Sequence, residues 1–272
     1  MHENNIGMVR LLVHLHLYYQ EQTDYFLDKL KNITVPYQLI VTLTTENESI
    51  KQKIATEIPN TKFLLVENCG YDVYPFFQAM KQFDLSTYDY ILKIHTKNSR
   101  NTNTIHHLHF HGNEFRDNLI APLIGSRLSF KRVIRIMKRS PKTGIICTRY
   151  FLYLMKDTVK ENRKNTRKLC QDYNIPYNKY NKETVFCAGT IFLCRSEIVR
   201  FLLKNNYTAA EYGHKLKTGI AGTLAHSMEE MFGITCNYLG YKTKGIQTLS
   251  KYLFIFLGKC IAHKEVRWLL RY

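Results

Sequence analysis

The chain has 272 residues, 45% of them hydrophobic, and a net charge of +17 from 39 Lys and Arg against 22 Asp and Glu. That length and apolar content suit one folded domain with a large core and exclude a disordered chain. The longest apolar runs, such as Tyr252 to Leu257, are too short for a hydrophobic membrane span. The positive charge calls for an anionic partner: a phosphorylated substrate, a phospholipid surface or nucleic acid.

Motifs narrow these classes. No zinc finger, RNP motif or helix-turn-helix stands in the sequence, so nucleic acid is not an expected partner. The seven cysteines (69, 147, 170, 187, 194, 236 and 260) show no paired spacing, which speaks against a zinc module and a disulfide framework. With no basic and then apolar leader in Met1 to Asn5, the expected location is a reducing cytoplasm.

In chain order, Val9 to Leu17 reads as a buried strand, with His14 and His16 on one face because strand side chains alternate. Phe26, Leu27 and Leu30 at helical spacing follow, with Thr23 as N-cap. Tyr37 to Thr44 is a second strand, Thr45 to Ile58 a second helix, Phe63 to Val66 a third strand and Val73 to Phe83 a third helix. Tyr90 to Ile94 is a fourth strand, interrupted by Lys93 and running into His95, Thr96, Lys97 and Ser99. Four alternations in under 100 residues predict an α/β, Rossmann-like domain whose mostly parallel sheet is flanked by helices. The polar strand ends (His14, His16 and Tyr18; Thr42 and Thr44; Asn68 and Asp72; His95 and Lys97) then fall along one edge, where such sheets bind ligands.

Downstream, residues 115 to 139 read as helical in pieces. Phe130 to Arg139 alternates apolar and basic residues, which fits both a membrane-surface helix and a core helix with a basic outer face. Gly144 to Cys147 and Val185 to Cys194 read as strands, the second carrying Ala188-Gly189 where a side chain would obstruct a ligand or a neighbouring backbone. Asp157 to Asn181, polar and basic, reads as an excursion or mobile loop. Gly222 to Phe232 opens with small residues and becomes a helix. His106, His107, His109 and His111 lie in a stretch rich in Asn and Thr and read as an acceptor-facing or solvated loop. The expected division is a domain over residues 1–240 and a basic, aromatic helical tail over 241–272, containing Arg267, Trp268 and Arg271.

Several motifs, in order, resemble the rhamnan synthesis protein F family. They are His14-Leu15-His16-Leu17-Tyr18-Tyr19, then Asn68-x-Gly70-x-Asp72-x-x-Pro75-Phe76, then Tyr88 to Lys97. Arg116 with Leu123 to Ser126, Phe186 to Phe192, and Gly222-Thr223-Leu224-Ala225-His226-Ser227-Met228-Glu229 continue the match. The chain departs from the family's pattern at Ala221, where an acidic residue is common, and at Glu230, where Arg is usual. The resemblance implies a single GT-A-like domain and transfer of a sugar, with rhamnose suggested by the family label. The donor would be a nucleotide sugar. The acceptor would be a growing rhamnan, O-antigen or capsule glycan, free or lipid-linked, at the inner face of the plasma membrane.

GT-A enzymes usually end the fourth strand in Asp-x-Asp, which holds a divalent metal against the donor diphosphate. Here His95-Thr96-Lys97 stands instead. An imidazolium and an ammonium neutralise a diphosphate directly, so the expected site uses no metal. Mg or Mn is not favoured, and neither is a transition metal held by His14, His16 and His95. The donor would contact His14, His16, Tyr18, Thr44, Asn68, Gly70, Asp72, His95, Lys97, Ser99 and Gly189, with Arg116 facing the acceptor. Asp72 either accepts from a sugar hydroxyl or N-caps the next helix. Inverting transfer needs a base, and Glu229 is the candidate, with His226 one turn before it to orient it or hold acceptor; the bland alternative is a solvated Glu229-Glu230 pair. A basic membrane- or nucleic-acid-binding module and an inactive scaffold of a polysaccharide assembly complex are the competing functions.

Overall fold

The computed structural model describes residues 9–99, 103–105, 108–110, 112–213 and 222–248. Its first part repeats strand and helix as the periodicity predicts: β1 (Leu11–His16), α1 (Thr23–Leu30), β2 (Tyr37–Leu43), α2 (Glu48–Glu57), β3 (Lys62–Leu65), α3 (Val73–Met80) and β4 (Tyr90–His95). A short hairpin, β5 (Asn103–Ile105) and β6 (Leu108–Phe110), precedes α4 (Glu114–Ile124) and α5 (Arg127–Arg139). There follow β7 (Thr143–Thr148), β8 (Leu152–Leu154), α6 (Lys160–Asp172), α7 (Tyr177–Tyr180) and β9 (Val185–Cys187). The described chain ends with β10 (Phe192–Arg195), α8 (Ser196–Leu202), α9 (Ala209–Tyr212), α10 (Leu224–Tyr238) and β11 (Lys242–Ile246).

Seven strands form one mixed, mostly parallel sheet in the order β11-β7-β10-β4-β1-β2-β3. β4, β1, β2 and β3 run parallel, so their carboxyl ends share an edge. Only β10, antiparallel to both β4 and β7, breaks the pattern. Alternation sends successive side chains to opposite faces. Leu11, Val13, Leu15 and Leu92 pack with Phe26 and Phe130 on one face, and Leu12 and Ile91 pack with Phe76, Phe77 and Phe232 on the other. His14, His16, Lys93 and His95 share the second face, since His14 pairs with Lys93 and His16 with His95 in register.

Several expectations change here. Thr23 is the first residue of α1 rather than its cap, and its hydroxyl donates to Gln20 O at 2.6 Å. The segment expected to be a polar excursion is helical, because α6 buries Asn162, Thr166, Leu169 and Cys170 on one stripe against α10. Two of those four are polar, which hides the periodicity. The strand expected over Val185 to Cys194 is two strands split by a turn at Ala188 to Ile191. In α5, Phe130, Val133, Ile134 and Met137 are buried in the core, so its apolar side is not available to a membrane. The sheet runs past the boundary drawn at residue 240, since Lys242–Ile246 pairs with β7. Arg267, Trp268 and Arg271 lie outside the described residues, as do the side chains of His106, His107, His109 and His111. No helix among the described residues is long and apolar enough to cross a membrane.

Helix α10 lies close against β9. A Cβ on Gly233 would fall 2.5 Å from Val185 O and 2.6 Å from Phe186 Cβ. Helix propensity favours Ala over Gly by about 1 kcal/mol, yet this crowding reverses the sign. Gly233→Ala is expected to destabilise the fold by about 1–3 kcal/mol, read from the urea midpoint; a stabilised variant would show that the helix is not held this close.

Candidate active site at the carboxyl edge of the sheet

The site begins with a lysine in the middle of a buried strand. Lys93 is fully buried, and its ammonium has three donors to place. They go to Asp72 Oδ2, to Thr190 O at 3.1 Å and to Thr190 Oγ1 at 2.9 Å. The Thr190 hydroxyl in turn donates to Asp72 Oδ2. Asp72 stands at the N-cap position of α3 yet makes no capping bond, so its side chain serves the ion pair rather than the helix.

Two left-handed turns aim these groups. Gly70 (φ 58°) and Tyr71 (φ 55°) precede Asp72, and Gly189 (φ 82°) precedes Thr190 (φ 47°). A β-branched residue at positive φ is a costly conformation, and here it is held by the bonds of Thr190 to Lys93 and Asp72. Gly189 joins the two halves of the site. Its carbonyl accepts from His95 Nε2 at 2.8 Å, and its N–H donates to Glu229 Oε1 on α10. The Lys97 ammonium lies 3.8 Å from the point a Cβ on Gly189 would occupy and over the Phe115 ring.

Electrostatics separate the roles. Burial pushes the Glu229 carboxyl up to about 7, reinforced by Asp72 and opposed by Lys97 and the Gly189 N–H. Burial would also raise Asp72, but the ammoniums of Lys93, which donates to it, and Lys97 outweigh burial and hold that carboxyl well below the usual range. Burial drives His95 well below 6.5 in spite of Asp72, so the ring is neutral with its proton on Nε2 toward Gly189. The imidazolium expected at His95 is therefore replaced by a neutral structural ring. Lys97 is lowered by burial, although Asp72 and Glu229 pull the other way. Its ammonium has no hydrogen bond or ion pair with a described residue.

The other expected residues fall into place around this cluster. Thr223 Oγ1 and His226 Nδ1 are 2.7 Å apart, and the His226 ring meets Tyr71 edge-on at 5.3 Å. Glu230 turns away, buried, and accepts from Asn162 Nδ2 at 2.9 Å and Thr166 Oγ1 at 2.5 Å on α6. The adjacent carboxylates are thus neither a pair nor solvated. His14 is a correction: it is fully buried against Phe76 and bonded to Thr42 Oγ1 at 2.9 Å, which leaves no surface for a donor. His16 Nδ1 shares that hydroxyl at 2.9 Å, and its ring lies 6.3 Å from that of half-buried Tyr18. Thr44 and Asn68 follow β2 and β3 along the same edge with no side-chain bond to the cluster among the described residues, and half-buried Ser99 lies past the end of β4. Gly70 is buried, pressed against Tyr74 and Tyr212. Arg116 is not brought to the cluster; it bonds Asp117 Oδ1 at 2.9 Å and stacks 3.5 Å over the Tyr25 ring.

These residues do not suit a divalent metal. The Asp72 oxygens face Lys93, Thr190 and His95, His14 Nε2 and His16 Nδ1 are taken by Thr42, and the fourth strand ends without a carboxylate. Among the described residues no three His, Cys, Asp or Glu side chains gather as ligands. Sequence reasoning gave Lys93 and Thr190 no role, and placed Thr42 on the edge without making it a site residue. Lys93 carried a readable signal, since Lys93, His95 and Lys97 alternate on one strand face.

Charged groups gathered beyond the carboxyl ends of a mostly parallel sheet stand where open α/β proteins bind their ligands. Within that class, the sequence profile of the rhamnan synthesis protein F family matches residues 1–241, and the chain belongs to this family. It is 24% identical over 242 residues to the uncharacterized protein WxcX of Xanthomonas campestris pv. campestris strain B100, covering 86% of this chain. The chain spans about a third (32%) of that relative's length. Its backbone resembles S. aureus TarS in complex with UDP-GlcNAc (10% identity, 88% of this chain and 56% of that one, TM-score 0.46). It also resembles core-mannan synthase A from Aspergillus fumigatus in an Mn/GDP form (10% identity, 89% and 74%, TM-score 0.43).

Removing the Lys93 ammonium leaves Asp72 buried and uncompensated. Lys93→Met is expected to cost about 3–5 kcal/mol, and adding Asp72→Asn should restore part of it. Lys97→Ala, which leaves no carboxylate uncompensated, should cost clearly less than Lys93→Met; urea midpoints for the three variants check this pattern. Glu229 makes a separate prediction. Between its ordinary value of 4.5 and about 7, the folded protein keeps a proton that the unfolded chain has released. Stability from this group therefore falls as pH rises through that window. Thermal midpoints at pH 5 and pH 8 should drop less for Glu229→Gln than for the parent.

Proposed function

We propose that the chain is a glycosyltransferase that moves a sugar, rhamnose by the family's description, from a nucleotide donor to a growing polysaccharide. The observation that carries this reading is Glu229. Its carboxyl is pushed up to about 7, accepts from a backbone N–H, and stands in the field of the Lys97 ammonium, which bonds no described residue. That combines a base poised for neutral pH with a cation for a leaving diphosphate. In direct displacement the acceptor hydroxyl gives its proton to Glu229 as its oxygen bonds to the anomeric carbon. The bond from that carbon to the diphosphate breaks, the charge develops beside Lys97, and the configuration inverts. His226, a turn earlier, orients Glu229 or the acceptor. Tyr18, Thr44, Asn68 and Ser99 along the strand ends are the remaining donor contacts. Neutralisation by Lys97 makes the transfer independent of a divalent metal.

The outward face of α5 supports a peripheral contact. Arg127, Lys131, Arg135, Lys138 and Arg139 are exposed on it, and the helix contains no acid. Such a face attracts an anionic lipid surface, which would hold the protein at the cytoplasmic side of the plasma membrane.

Nucleotide diphosphates should raise the melting temperature of the parent and hardly affect Lys97→Ala. Turnover should fall on the order of 100-fold or more in Glu229→Gln with donor binding retained, while Glu230→Gln keeps turnover and loses stability. The parent's rate should rise with pH around a value near 7, a limb missing in Glu229→Gln. Activity that vanishes with EDTA and returns with manganese would overturn the metal-independent step, and near-parental turnover in Glu229→Gln would remove the base.

A further inference from the structure

A cavity of about 590 Å³ opens beside the start of α10. Asn165, Lys168, Asp172, Tyr207, Glu211 and Tyr212 line it, together with Thr223 at the helix start. From these residues we infer that this groove binds an uncharged glycan, holding the acceptor chain behind the end that is being extended. The assignment rests on the transferase reading for its role, though not for its ligand chemistry.

Three features support it. The size lies within the range of small-ligand sites, and the lining mixes tyrosine rings with planar amide and carboxylate groups. Sugars present apolar C–H faces for such rings and paired hydroxyls for such planar acceptors and donors. The Tyr207 hydroxyl donates to Asp172 Oδ2 at 3.0 Å, which fixes ring and carboxylate together on the wall.

The charge is selective. In a chain of net charge +17, this groove sets two carboxylates, Asp172 and Glu211, against one ammonium, Lys168. A phosphate-bearing polymer gains nothing there, whereas a neutral polyhydroxyl chain finds acceptors.

The groove also abuts the reacting residues. Thr223, on its wall, bonds His226, and Glu229 follows six residues after Thr223, roughly 9 Å along the helix. On the other side, Tyr212 presses on Gly70, two residues from Asp72. Asn165 and Asn162 hold the entry fixed: Asn165 Nδ2 donates to Gly222 O at 2.7 Å, and Asn162 Oδ1 accepts from Gly222 N at 2.7 Å.

The test is titration by saturation-transfer NMR with tetrasaccharides of rhamnan, mannan and glucan as neutral probes and a glycerol-phosphate oligomer as the anionic one. At least one neutral tetrasaccharide should bind, and Tyr207→Ala should weaken it tenfold or more. Tyr207→Phe should keep most of the binding, and Asp172→Asn should weaken it without loss of folded protein by circular dichroism. Binding of UDP, GDP and dTDP, measured in parallel, should be unchanged in all three variants and reports on the transferase reading alone. The groove assignment is overturned if no neutral tetrasaccharide binds, if Tyr207→Ala and Asp172→Asn bind like the parent, or if the glycerol-phosphate oligomer binds more tightly.

Discussion

Lys93 sets the terms for the whole carboxyl edge of the sheet. An ammonium with no exposed surface must have all its protons accepted, and the three acceptors come from chain segments far apart in sequence, around residues 72 and 190. Meeting that demand fixes the Gly70-Tyr71 and Gly189-Thr190 turns in left-handed conformations. The second turn then presents a carbonyl to His95 and an N–H to Glu229. A buried charge is thus the reason a carboxyl on a distant helix arrives beside the strand ends. Lys97, two residues further along, has no hydrogen bond or ion pair with a described residue and lies over the Phe115 ring.

How much of this the sequence disclosed depends on which forces were local. The parallel half of the sheet was legible, because continuous apolar runs, helical spacing and four repeats in a row are statements about neighbours in sequence. Glu229 and Lys97 stood out because each followed a readable element. The charge state of His95 did not, since it depends on burial that no spacing records. Arg116 looked free and is stacked on Tyr25, a contact between α4 and α1 that no local pattern announces. Helix α6 was hidden by its own buried polar stripe, where Asn162 and Thr166 bond Glu230 instead of displaying an apolar face.

The same contact explains the departure from the family's Arg at position 230. A carboxylate there is matched by an amide and a hydroxyl on α6, so the substitution changes how two helices are joined and leaves the cleft alone. Adjacent residues on α10 therefore face different ways: Glu229 meets the Gly189 N–H, and Glu230 meets Asn162 and Thr166 on α6.

The position of β10 has a consequence for how the molecule is made. Strands β1 to β4 emerge from the ribosome in order and can pair with one another at once, but the strand between β4 and β7 is not synthesised until residue 195. Until then Lys93 has Asp72 and neither acceptor on Thr190. Domains fold as they appear during synthesis, so the amino-terminal half waits with an incompletely satisfied cation at its edge. Arrival of β10 bridges β4 and β7 and supplies the last acceptors of Lys93 in one event, so that ion site is not complete before residue 195 has been made.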